Sequence, residues 1–195
     1  MLTGYILLAQ KIFPALFLAA AFFYFFKKNK EMARYVFLIY GMIVFRFIYA
    51  GILTKMQYDL WLDNDFTRYL LPPHQPIRYF IGYAWTHFWL GGVIWIGAPL
   101  IVFLFFVVLR KIKKEALGGE EAGIIFLTSL VAGWPNIIIF LPLAFIFALL
   151  TAVSRKIFLK DDHISVSLPF LLAALIIILF GDYLFDHINM PELKI

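Results

Sequence analysis

Two adjacent carboxylates, Glu120 and Glu121, are the residues best placed to do chemistry, and they directly follow the glycine pair Gly118 and Gly119. They precede an apolar segment, at the point where a helix is expected to begin. Because glycine permits a sharp turn and a helix N-terminus favours negative charge, one interpretation is a helix cap with a solvated acidic pair. The other is a membrane-embedded carboxylate that acts as an acid or base. The local sequence leaves both interpretations open.

Three further polar residues lie within or beside apolar segments, namely Arg46, His87 and Asp182. A charge inside a membrane span usually pairs or faces a cavity, although a long side chain can also reach the nearer interface. We take all three as candidates for an intramembrane polar site. The alternative for His87 is interfacial hydrogen bonding, and that for Asp182 is contact with water or a helix partner at the outer interface. The chain has no cysteine. The other histidines have no partner at the spacing of metal ligands, so we expect neither a metal nor another cofactor.

The composition favours an integral membrane protein. Of the 195 residues, 64% are hydrophobic and only 15% are charged, whereas soluble domains are roughly 45–50% apolar. The net charge of +5 lies mostly in short loops, which indicates a topology signal rather than a nucleic-acid partner. We predict a single all-α transmembrane domain over residues 1–195, a polytopic bundle of about six helices in the lipid bilayer.

The apolar segments give the expected spans. Most approach the roughly 20 residues needed to cross a bilayer core, and they cover residues 4–26, 35–53, 79–109, 122–133, 137–153 and 164–185. Residues 79–109 are long for one span and short for two. They are either an interfacial segment up to Trp89 followed by a span, or a tight hairpin of two short spans. The positive-inside rule places the basic loops at 27–34, 110–114 and 155–160 in the cytoplasm. With 79–109 as one span, the loop around Asp59 lies outside.

The last third of the chain resembles the C-terminal half of type IV prepilin peptidases, which are membrane aspartic peptidases. The resemblance rests on the order of several marks. These are Glu-Ala-Leu-Gly at 115–118, a turn Gly-Trp-Pro-Asn at 133–136 after an apolar helix, a basic loop at 155–160, and a helix that opens around 164–170.

The resemblance implies a fold, a site and a location. Two carboxylates would activate water against the leader of a prepilin-like peptide, without a metal, in a bacterial or archaeal inner membrane. Glu121 occupies the position of the second catalytic aspartate, with Gly118, Gly119 and Glu120 before it in the motif. The nearest match to the first catalytic aspartate is Asp59.

The sequence departs from this family at the motif itself. Glu121 replaces an aspartate, Glu120 replaces a glycine, and no Ile-Pro-Asp stretch follows Asp59. Two carboxylates must also meet on one side of the membrane to share a proton, which the single-span count does not allow. A catalytically inactive membrane subunit or scaffold, which binds another membrane protein, is therefore the second hypothesis.

A third hypothesis comes from the first half of the chain. The stretch Arg46-Phe47-Ile48-Tyr49 and the later pair Gly91-Gly92 resemble parts of prolipoprotein diacylglyceryl transferases. This resemblance implies a lipid-handling protein with a basic pocket around Arg46.

Overall fold

The computed structural model describes residues 2–27, 32–112, 118–158 and 165–187, and every regular element within these ranges is helical. The description leaves out the side chains of residues 2–11, 32–33, 119–120, 158, 182, 185 and 186. The helices are α1 (Leu2–Phe26), α2 (Met32–Asp63), α3 (Ile77–Ala84), α4 (Leu90–Ile112), α5 (Gly119–Ala132), α6 (Ile137–Phe158) and α7 (Ser167–His187). The predicted all-α class is confirmed for this part of the chain.

Three helical stretches are long and apolar enough to cross a membrane: Arg34–Asp63, Ile77–Ile112 and Ile137–Ile157. Three further apolar helices are shorter over the ranges searched: Ile12–Phe26, Glu121–Ala132 and Ser167–Gly181. A membrane protein is therefore supported by the length and composition of the helices.

Residues 77–112 form one continuous helical stretch, so the hairpin alternative for 79–109 is wrong. Helix α3 passes into α4 through a single π-helical turn, Trp85–Trp89. Pro99 lies inside α4 and is buried. Proline and glycine are tolerated within membrane helices because neighbouring helices and local adjustments satisfy the freed backbone groups. Gly91, Gly92, Gly97 and Pro99, which could have broken the helix, therefore do not reverse the chain.

Helix α2 continues well beyond the predicted end at residue 53 and reaches Asp63. The added turns are held by aromatic contacts to α3: the ring of Trp61 lies 5.3 Å from that of Phe80, and the ring of Tyr58 lies 5.2 Å from it. Together with buried Leu71 and Ala84, these side chains form a small core of their own. We call residues 55–89 the distal lobe.

The main core lies among the other helices. Large buried side chains come from α1, α2, α5, α6 and α7, among them Leu18, Met42, Ile125, Phe140 and Phe170. Helix α7 packs against both α5 and α6. In a bilayer such contacts stabilise mainly through close packing, because lipid tails are as apolar as the side chains.

Six of the basic residues that the structure describes near helix ends lie at one end of this bundle, whereas Arg78, at the start of α3, lies at the other end. The Arg34 guanidinium lies 5.5 Å from the Tyr24 ring centroid, which joins the end of α1 to the start of α2. A Cβ on Gly123 would lie 3.5 Å from that of Tyr35, so α5 also begins there. We call this the basic end, and it carries Lys27, Arg34, Arg110, Lys111, Arg155 and Lys156.

Candidate functional site

Glu121 lies in the first turn of α5, and both of its carboxylate oxygens accept hydrogen bonds from the backbone. The Gly118 N–H donates to Oε2 at 2.9 Å, and the Val166 N–H donates to Oε1 at 3.1 Å. The Glu121 N–H in turn donates to the Gly118 carbonyl at 3.2 Å. Backbone N–H groups at the start of a helix lack partners within the helix, and a carboxylate three residues in can satisfy one of them. This geometry favours the helix-cap interpretation of Glu121.

The second bond also joins distant parts of the chain, because Val166 stands directly before α7. Glu121 thereby fastens the start of α5 to the start of α7 at the basic end. Gly119 and Glu120 complete the first turn of α5, and the Glu120 side chain lies outside the described part. Residues 115–117 of the motif also lie outside it.

Asp59 is far from Glu121. It is exposed near the end of α2 that is remote from the basic end. Tyr35, which packs beside the first turns of α5, precedes Asp59 by 59 − 35 = 24 residues on the same helix. At about 1.5 Å per residue this separation is roughly 36 Å. The structure therefore does not bring Asp59 and Glu121 together as an acid–base pair.

Arg46 lies near the middle of α2 and reaches across to α4. Its guanidinium carbon is 5.9 Å from the Tyr49 ring centroid and 5.8 Å from the Trp95 ring centroid, within the range of cation–π contacts. Its Cγ lies 3.9 Å from the place a Cβ on Gly92 would take, so this glycine leaves room for the arginine stem. Among the side chains that the structure describes, no carboxylate lies within ion-pair distance of Arg46.

The turn between α5 and α6 adjoins the same tryptophan. Gly133 has a φ of 65° and a ψ of 172°, a conformation nearly restricted to glycine. A Cβ there would run into the Trp95 indole. One helical turn earlier, the buried Ser129 hydroxyl has no hydrogen-bond partner in the described part of the chain. Arg46 of α2 and the α5–α6 turn thus both lie beside Trp95.

His87 lies in the π-helical turn, where it is exposed and hydrogen-bonded. Its Nδ1 lies 2.9 Å from the Tyr83 carbonyl oxygen and 3.0 Å from the Thr86 hydroxyl, and its ring stacks on Tyr83 at 3.9 Å. This arrangement favours the structural role expected for His87. Asp182 belongs to α7, and its side chain falls outside the description. Over the described ranges, no three acidic or histidine side chains lie close enough to hold a metal ion.

Comparison with known proteins gives no relative. No family model matches the chain, and no curated protein and no solved structure matches it. The resemblances to prepilin peptidases and to diacylglyceryl transferases therefore remain predictions from the residues.

Sequence reasoning identified Arg46 and missed Trp95, which lies between Arg46 and the α5–α6 turn. One feature of the sequence could have identified Trp95. It follows Gly92 by three residues and so lies on the same face of the helix, near the glycines at the start of α4. A tryptophan inside a span, away from the interfacial belts, is a second signal.

Proposed function

We propose that the protein is a multi-pass membrane protein of about six spans that binds the anionic headgroup of a lipid at Arg46. This corresponds to the lipid-handling hypothesis rather than to peptide hydrolysis. The observation that carries it is the position of Arg46, a cation in the interior of α2 with aromatic neighbours and no carboxylate partner among the described side chains.

The proposed topology is based on the positive charge of the basic end. Positive residues near helix ends favour the cytoplasmic side, so the basic end would face the cytoplasm and the distal lobe the outside of a bacterial or archaeal inner membrane. The three long apolar stretches would cross the bilayer, together with the three shorter apolar helices. This assignment keeps Asp59 and Glu121 on opposite sides.

The depth of Arg46 favours a headgroup that enters from the distal side. Arg46 follows Arg34 by 12 residues in α2, so it lies about 18 Å above the basic end. Helix α5 has 14 residues and extends about 21 Å, which is short of a hydrocarbon core of roughly 30 Å. The bundle is thus incomplete on the distal side of the α5–α6 turn, close to Arg46, and a lipid phosphate would find a charge-assisted donor there.

Lipid titration of the purified protein tests this proposal. In a neutral detergent, phosphatidylglycerol should raise the unfolding temperature, whereas phosphatidylcholine with the same acyl chains and free inorganic phosphate should have little effect. A ligand at 100 times its Kd stabilises by about 2.7 kcal/mol. Arg46→Gln should abolish this stabilisation. Arg46→Lys should keep part of it, because the lysine ammonium keeps the positive charge but cannot donate two parallel hydrogen bonds as the planar guanidinium does.

Matched variants separate binding from general charge effects. Arg110→Gln removes an exposed arginine at the basic end and should leave the phosphatidylglycerol response unchanged. An equal response in Arg46→Gln and the parent protein would refute the proposal. If Arg46→Gln and Asp182→Asn both unfold the protein to the same extent without lipid, Arg46 serves in a structural ion pair and the proposal also fails.

A catalytically inactive prepilin-peptidase-like scaffold is the second candidate. It is favoured by Glu121, whose two oxygens are both occupied by backbone N–H groups, and by the distance to Asp59. Co-expression with prepilin-like proteins should then give no leader cleavage in a gel-shift and mass-spectrometric assay. Cleavage that is lost in both Glu121→Ala and Asp59→Ala would instead establish a peptidase.

A further inference from the structure

Helix α3 and the π-helical turn present two parallel exposed stripes. One is apolar and consists of Ile77, Ile81 and Trp85, which are 45%, 58% and 50% exposed. The neighbouring stripe, one residue further along, consists of Arg78, Gly82 and Thr86 and is also exposed. The opposite face, with Phe80 and Ala84, packs against the core of the distal lobe. The three side chains of the apolar stripe are therefore about half exposed, and none of them belongs to the described core of the lobe.

The length of the helical stretch Ile77–Ile112 argues against a distal lobe that is surrounded by water. The 36 residues of Ile77–Ile112 extend about 54 Å. A bilayer with its headgroups is roughly 40–45 Å thick, so an upright helix would leave about 10 Å in water, including Ile77 and Ile81. A tilt of about 35° would shorten the stretch to about 44 Å across the membrane and bring these residues to the headgroup layer.

The apolar stripe also continues along α4. In an unbroken α-helix, Val93 would be rotated about 160° from Ile77, on nearly the opposite side. A π-helical turn rotates less per residue than an α-helix. Over its five residues it reduces the angle between Ile77 and Val93 by roughly 90°, so that about 70° remains. Val93, Leu100 and Leu104 are all exposed, and their positions then fall within the angular width of the stripe. One apolar surface thus runs from α3 down the span.

We propose that this surface is covered by lipid along its whole length, so that the distal lobe lies in the outer headgroup layer of the bilayer. Ile77, Ile81 and Trp85 face the acyl boundary, as expected of large apolar and aromatic side chains at a membrane interface. Arg78, on the adjacent stripe, lies at the level of the lipid phosphates. Contiguous exposed apolar surfaces of this kind mark membrane or protein contacts, and the continuity with α4 favours lipid.

The absence of cysteine in the chain allows a direct test by single-cysteine spin labelling. Ile81→Cys places the label on the apolar stripe. Gly82→Cys is the matched control on the neighbouring stripe, which also carries Arg78 and Thr86. A Cβ at position 82 meets nothing within 4 Å. Val93→Cys serves as the reference for the span, and Gln75→Cys serves as the reference for the tip of the lobe. Each variant is reconstituted in vesicles of phosphatidylcholine and phosphatidylglycerol.

The readout is the collision of each label with oxygen, which concentrates in lipid, and with a water-soluble nickel chelate. We expect the label at 81 to resemble that at 93, with high oxygen and low nickel accessibility, and the label at 82 to resemble that at 75. Equal nickel accessibility at 81 and 75 would place the lobe in water and overturn the proposal. Low accessibility of 81 to both reagents would mean that protein covers the stripe, which also overturns it. Neither result depends on lipid binding at Arg46.

Discussion

The two hydrogen bonds of Glu121 predict that its removal destabilises the protein. A hydrogen bond to a charged group contributes about 1.5–3 kcal/mol when partly buried, and one at an exposed helix cap contributes about 1 kcal/mol. The Val166 bond is partly buried and the Gly118 bond is exposed. Glu121→Ala should therefore lower the free energy of unfolding by about 2–4 kcal/mol. Glu121→Gln keeps one acceptor oxygen and should cost about half as much.

Chemical unfolding in a mild detergent, followed by tryptophan fluorescence, measures these differences. Asp59→Asn is the control, because Asp59 is exposed and the structure gives it no hydrogen bond. It should change the stability by less than about 0.5 kcal/mol, as is usual for surface substitutions away from special features.

Two results would contradict the structural role of Glu121. If Glu121→Ala is as stable as the parent protein, the carboxylate does not join α5 to the segment before α7. If Glu121→Gln keeps full stability but loses a leader-cleaving activity, Glu121 acts as an acid or base and the cap interpretation is wrong.

Two further predictions concern the α5–α6 turn and the base of the distal lobe. Gly133→Ala should cost about 1–3 kcal/mol or more in the same unfolding assay, because a side chain is strained at φ 65° and would meet Trp95; an unchanged midpoint would show that the turn has another conformation. Trp89 Nε1 donates to the Thr54 hydroxyl at 3.0 Å, so a double-mutant cycle with Trp89→Phe and Thr54→Val should give a coupling of about 0.5–1.5 kcal/mol. Strict additivity would mean that this bond contributes nothing.

The helical class was predictable from the sequence, whereas the helix ends were less so. Apolar runs of sufficient length predict membrane helices, and most observed helices overlap the predicted spans. The end of α2 was predicted ten residues too early because the run around Asp59 is polar. It stays helical because Tyr58 and Trp61 pack on Phe80. That contact depends on a partner helix which a local pattern cannot show.

The candidate site was predictable only in part, for a similar reason. The order Gly118-x-x-Glu121 indicates a helix cap from local geometry alone. The bond from Val166 joins residues 45 apart in sequence and needs the tertiary fold. A separation of 62 residues between Asp59 and Glu121 says nothing about the side of the membrane on which each lies. The number of intervening helices decides this, and residues 79–109 left that number open.

The packing of α7 has a consequence for the order in which the protein can assemble. Helices α5 and α6 each pack more extensively on α7 than on each other, and Glu121 finds its Val166 partner only just before α7. Because α7 follows both in the chain, the ribosome delivers α5 and α6 to the membrane before the helix that holds them together exists. Until then α5 can pack on α2 and α4, but it lacks its contacts with α7, and Glu121 lacks the Val166 N–H. The packing of α7 therefore forms last, and a chain released before Ser167 would leave α1, α5 and α6 without their common partner.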